Sequence, residues 1–265
     1  MLKSYNLETG IRNLWEIDEE YQLACLEGIV KNIRKIANVN IVNMHVSYLR
    51  EQGAFFVHND TYMVERFGEY IKDPALGIYR FGRCSLAGRL AIPIRYMDGT
   101  VRGFIGYSKK PQDLSDDEAF IKYLYPPKDA FSKARYLYIT ADEYKKAVND
   151  GYICIVDGIF DKIILQCLGI NAVSLCGSAL TRWHTYYLQF IKHKIVVADN
   201  DVAGRNLANK CKYFLSGCVE ILQADKNDID SLLRTDVAVD EFIKCFEEMR
   251  NEGFILSHKL PKIKE

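Results

Sequence analysis

Asp199 and Asp201 stand two residues apart at the end of an apolar, β-branched run, Ile195-Val-Val-Ala198, and Gly204 follows in a helix-like stretch. This reads as a buried parallel strand that delivers acids at its carboxyl end, where open α/β sheets hold their ligands. Carboxylates so spaced suit a hard cation such as Mg²⁺ or Mn²⁺, and they serve equally well in a turn or as a helix N-cap. The arrangement recurs. Tyr152–Val156 runs into Asp157 and Gly158, with Asp161 one helical turn on, and Cys218–Leu222 is followed by Asp228 and Asp230. Parallel strands align their carboxyl ends along one edge, so six acids would converge there. Crowded carboxylates repel one another unless cations neutralise them, which points to a metal site. Gly158 and Gly204 suit tight turns and close approach of a phosphate to the backbone.

The elements that must position these acids follow from the periodicity. Beyond Ala141, strands over 152–156, 172–175, 194–198 and 218–222 alternate with helices over 142–149, 160–168, 181–191, 206–214 and 239–250. Short loops between alternating β and α imply a parallel, doubly wound α/β sheet flanked by helices. The texture changes near Thr140. Upstream, Leu90–Tyr96 and Val101–Tyr107 flank Asp98-Gly99, a strong hairpin turn. Residues 11–37 carry helical spacing, 41–46 and 54–58 form short elements, and 111–118 reads as a polar loop. The expected division is N-terminal helices with a basic α+β subdomain over 1–140, a metal-binding catalytic domain over 141–250 and a basic tail over 251–265.

Formal net charge is zero, so a polyanionic partner must be met by local clustering. Residues 80–135 supply it, with eleven Lys/Arg against six Asp/Glu, interleaved with tyrosines. The eight cysteines form no C-x-x-C pair and sit mostly in apolar runs, which reads as a reduced, zinc-free cytoplasmic protein. No signal peptide or membrane span is expected. His45 and His58 lack partners at metal-ligand spacing and are read as structural. Trp183 and His184 receive no functional role.

Taken in order, Val156-Asp157-Gly158-Ile-Phe-Asp161, Leu168-Gly-Ile-Asn-Ala-Val-Ser-Leu-Cys-Gly-Ser178, Asp199-Asn-Asp201-Val-Ala-Gly204-Arg205 and Asp228-Ile-Asp230 resemble the TOPRIM domain, in the form found in bacterial DnaG-type primases. Upstream, Arg89–Arg95, Asp98-Gly99, Gly103–Gly106, Lys122-Tyr-Leu and Phe131-Ser-Lys133-Ala-Arg135 resemble the basic subdomain of those primases in the same order. The resemblance covers about Arg89 to Asp230. It implies metal ligands at Asp157, Asp161, Asp199, Asp201, Asp228 and Asp230, with Asp157, Asp199 and Asp201 catalytic. It places Arg89, Arg95, Lys122, Lys133, Arg135, Gly158 and Gly204 against nucleotide phosphates or template. The chain departs from the family at Asp157, where glutamate is usual, at Tyr125, where asparagine is usual, and at Gly106-Tyr107-Ser108, where Gly-Gly-Arg is usual.

What the resemblance implies is a DNA-directed RNA primase acting on single-stranded DNA and NTPs during DNA replication, with Mg²⁺ or Mn²⁺ and without zinc. It would be a compact, phage- or plasmid-like core in a bacterial or phage-infected cytoplasm, served by a replicative helicase or a separate accessory protein. Two other readings stay open: a TOPRIM metal-dependent nuclease, and a non-catalytic nucleic-acid-binding subunit. A topoisomerase needs more chain than this.

Overall fold

The structure is a computed structural model that describes residues 54–56, 61–67, 78–81, 86–95, 101–109, 120–127, 131–216, 218–223 and 236–251. The expected helix over 11–37, the stretches holding His45 and His58, the Asp98-Gly99 turn, the 111–118 loop, Asp228, Asp230 and the tail past 251 lie outside them. The described residues fall into two compact units, one ending at Ser132 and one starting at Lys133. The change of texture read from the sequence falls a few residues later, near Thr140.

The first unit is an antiparallel sheet. It comprises β1 (Ala54–Phe56), β2 (Tyr79–Phe81), β3 (Leu90–Arg95), β4 (Val101–Tyr107) and β5 (Tyr123–Leu124), hydrogen-bonded in that order, with helix α1 (Thr61–Phe67) between β1 and β2. The expected hairpin is present as β3 and β4, pairing Leu90 with Tyr107 and Arg95 with Val101. Register shifts between Pro93 and Arg95, beside a proline that has no N–H to give to the ladder. Met63 and Phe67, one turn apart on α1, are buried, and the Tyr62 hydroxyl lies 2.7 Å from that of Tyr107.

The second unit is a four-stranded parallel sheet of β6 (Tyr152–Val156), β7 (Ala172–Ser174), β8 (His193–Ala198) and β9 (Cys218–Gln223), in the spatial order β7-β6-β8-β9. Its helices are α2 (Ala141–Asp150), α3 (Ile159–Cys167), α4 (Arg182–Leu188), α5 (Val202–Phe214) and α6 (Asp236–Asn251). Every residue of β6 is buried, as a parallel strand covered on both faces requires. In β8, burial of Ile195, Val196 and Val197 contributes roughly 1.5–3 kcal/mol each, enough to hold the register that sets where Asp199 emerges. Helix α2 is closed at both ends. Thr140 and Glu143 form a capping box, and Gly151 takes the left-handed C-cap at φ 73°. Helix α4 is shorter than the expected 181–191. The Ile191 N–H bonds the Leu188 carbonyl in a tighter turn, and Ile191 is drawn into the core just before β8 begins.

Candidate functional site

From β6 the chain passes through α3 to β7 on one side of the sheet, and from β8 it passes through α5 to β9 on the other. Neighbouring strands whose connections diverge leave a crevice at their carboxyl ends. Asp157 and Asp199 are the first residues out of these two strands. Since Ile155 pairs with Val196, continuing the register sets Asp157 level with Ala198 and Asp199 one residue beyond. Ala198 in turn pairs with Gln223 of β9, so the chain leading to Asp228 and Asp230 departs from the same edge.

Asp157, Asp161 and Asp201 are each placed by local structure. The Asp157 carbonyl accepts hydrogen bonds from the Ser174 hydroxyl and the Gly177 N–H, both at 2.9 Å, so the loop after β7 clamps the end of β6. That loop contains Cys176 at φ 56°, left-handed for a residue with a side chain, and its N–H donates to the Ser174 hydroxyl. Asp161 lies in the first turn of α3 and is buried. Its carboxylate sits over the Cα of Gly158, where a Cβ would collide with it. Asp201 is the N-cap of α5, accepting the Gly204 N–H at 2.6 Å. The Cβ missing from Gly204 would strike the backbone of Asp199, whose nitrogen would lie 2.8 Å away.

The two glycines are required here by close packing rather than by a special backbone angle. Gly158 has φ −86°, and Gly204 lies within a helix, so neither needs a left-handed turn. The room left by the missing side chains is taken by Asp161 and by the Asp199 backbone. Among the described residues, no three His, Cys, Asp or Glu side chains gather closely enough to hold a metal ion. The donors at the edge are all carboxylates, the hard-oxygen chemistry that Mg²⁺ and Mn²⁺ take.

The expected basic residues divide between the units. In the first, Arg89 donates to the Ile121 carbonyl at 2.8 Å, which ties the start of β3 to the strand-β5 segment. Arg95 ends β3, and Lys122 is exposed with its ammonium 5.8 Å from the Tyr123 ring centre. In the second, Lys133 and Arg135 occupy a single 3₁₀ turn and are exposed. The chain from that turn runs antiparallel past β7, bridging Tyr138 to Ser174. Burial pushes the Cys176 thiol up to about 12, and the nearby Lys133 charge offsets part of that rise.

Sequence reasoning missed what anchors this turn. The Thr181 hydroxyl donates to the Ala134 carbonyl at 2.6 Å, and His184 Nε2 lies 3.2 Å from the Lys133 carbonyl. A Thr-x-x-His N-cap pattern was the available signal, since the third position of a capping box is ordinarily Glu or Gln.

Residues 154–233 match the family model described as Toprim-like. This segment is a Toprim-like domain. The chain around it is related in sequence to bacterial DNA primases. It is 34% identical over 187 residues to a DNA primase of Aquifex aeolicus, covering 67% of this chain, and 31% identical over 158 residues to that of Legionella pneumophila, covering 56%. The matched stretch spans only 34% and 26% of those two proteins. The RNA polymerase domain of Mycobacterium tuberculosis primase DnaG aligns with 84% of this chain and 82% of its own, at 22% identity and a TM-score of 0.49. Sequence is what ties the Toprim-like domain and its surroundings to primases.

Proposed function

We propose that this protein is a DNA-directed RNA primase core that joins ribonucleotides on a single-stranded DNA template. One observation carries the reading. The likeness to the Aquifex primase covers 67% of the chain, more than the half from Lys133 onward, so it must extend into the antiparallel unit. A nuclease built on a Toprim-like domain would have no reason to share that unit.

In this reading Asp157, Asp161, Asp199, Asp201, Asp228 and Asp230 hold divalent cations at the β6–β8 crevice, with Asp157, Asp199 and Asp201 nearest the chemistry. A cation held there supplies charge neutralisation for the triphosphate and lowers the pKa of an attacking 3′-hydroxyl. The chain's own part is positioning. Asp157 is anchored through its carbonyl and Asp201 through its cap, so both carboxylates are presented from fixed backbone. Lys133, Arg135, Arg89, Arg95 and Lys122 bind phosphates of the nucleotide or of the template. A replicative helicase or accessory protein brings the template, in a bacterial or phage-infected cytoplasm. Among the described residues no helix is long and apolar enough to cross a membrane.

The test is primer synthesis on single-stranded DNA with labelled NTPs and Mg²⁺ or Mn²⁺, comparing wild type with Asp157→Asn and Asp199→Asn. Short RNA products that disappear in both variants support the primase. Template degradation that disappears in them identifies a nuclease instead. Absence of both activities, with helicase present, identifies a binding subunit.

A further inference from the structure

We infer that Thr181 and His184 are positioning residues for phosphate binding, acting through the Lys133–Arg135 turn. This rests on the proposal that Lys133 meets phosphate. Two exposed cations on a short 3₁₀ turn would be poorly placed on their own, because so short a turn has few internal bonds to fix it. Here the turn is fastened from outside. Within the capping box of α4 the Thr181 hydroxyl accepts the His184 N–H at 3.3 Å, and His184 Nδ1 accepts the Thr181 N–H at 3.3 Å. An Nδ1 that accepts makes Nε2 the protonated nitrogen, so Nε2 donates to the Lys133 carbonyl. The Thr181 hydroxyl hydrogen goes to the next carbonyl, that of Ala134.

Glutamate at the third position of the box would close the helix equally well but has no N–H for Lys133. Histidine does both, at 1% exposure, where only polar groups with partners are tolerated. The third residue of the turn is held by the same helix, with the Arg135 guanidinium 5.5 Å from the Trp183 ring centre. The turn lies close to the loop that clamps Asp157, since Tyr138, three residues past it, bridges to Ser174, whose hydroxyl bonds both the Asp157 carbonyl and the Cys176 N–H. Three consecutive residues of the turn are thus fastened by the first turn of one helix.

The experiment is a double-mutant cycle. Affinity for labelled oligothymidine and KM for NTP are measured for Lys133→Ala, His184→Leu and the pair, at a temperature where melting curves show each folded. His184→Leu is expected to weaken one or both roughly three- to tenfold, with kcat little changed, and the pair to be no weaker than Lys133→Ala alone. His184→Gln, which keeps an acceptor and an N–H donor, should restore near-wild-type values. If His184→Leu does not fold, His184→Asn replaces it, its amide being too short to span Thr181 and Lys133. Wild-type affinity and KM in the folded His184 variant, or losses that multiply in the pair, overturn the inference while leaving the primase reading intact. No effect of Lys133→Ala on either quantity overturns the inference and removes Lys133 from the proposed phosphate contacts.

Discussion

At the scale of the residue, Asp201 has two tasks that one substitution can separate. It caps α5 with one oxygen, and it is a proposed metal ligand. Asparagine caps a helix as well as aspartate does, whereas alanine forfeits about 1 kcal/mol. Asp201→Asn should therefore keep the wild-type melting temperature and lose Mg²⁺ affinity, while Asp201→Ala should lose both; calorimetric titration beside thermal melting reads the two. The two glycines separate in another way. A Cβ at Gly204 meets the backbone of Asp199, which cannot step aside, so Gly204→Ala should cost about 1–3 kcal/mol in urea unfolding. A Cβ at Gly158 meets the end of the Asp161 side chain, so Gly158→Ala should unfold more nearly like wild type but bind Mg²⁺ less well. His184 adds a pH dependence. Burial holds its imidazole below the ordinary value, so on acidification the unfolded chain takes up a proton that the folded chain declines. The stability it confers is complete above about pH 6.5, where the unfolded residue is neutral, and is lost as pH falls through the lower folded value. Urea midpoints should decline between about pH 7 and pH 5.5, and less so in His184→Gln. His193, also lowered by burial, contributes in the same direction. A midpoint indifferent to pH would contradict this.

At the scale of the element, the strands of the second unit were legible because each is a short apolar run, and parallel strands buried on both faces leave little else in their sequence. Tyr152–Val156 and Cys218–Gln223 come out within a residue of expectation. The ends of α4 were not legible, because the turn that stops it is dictated by Ile191 entering the core. Nor was the fastening of Lys133, whose partner His184 is 51 residues away: the Thr-x-x-His pattern marks a helix start but does not say which carbonyl the imidazole reaches. The same is true of Lys162. It sits in α3, its side chain 4% exposed, and reaches Glu143 of α2 at 3.0 Å and Gln166 one turn on. Removing one partner of a buried pair strands a charge, whereas replacing the cation with an apolar chain of like size does not. Glu143→Ala should thus cost about 2–3 kcal/mol, part of it from the lost cap of α2. Lys162→Met should stay within about 1 kcal/mol of wild type by the same urea measurement. Equal losses would mean that the pair stabilises the α2–α3 contact on its own account.

At the scale of the whole molecule, a chain of zero net charge cannot attract a polyanion at long range, so the proposed binding to single-stranded DNA would come from local cations that displace counterions one by one. Each phosphate neutralised on a single strand adds about 0.7 to the slope of log affinity against log salt. The number of working contacts is therefore read directly from that slope. Lys133 and Arg135 lie on one turn of the Toprim-containing unit, and Arg89 already gives a hydrogen bond to a backbone carbonyl in the other. Replacing Lys133 and Arg135 together by alanine should reduce the slope by about 1.4 if both meet phosphate. Arg89→Ala should lower it less, because that guanidinium is partly engaged in fixing β3. The contrast decides what the basic block read from the sequence does. A slope unchanged by Lys133→Ala/Arg135→Ala but halved by Arg89→Ala would move the template contacts into the antiparallel unit, and would leave the 3₁₀ turn to the nucleotide alone.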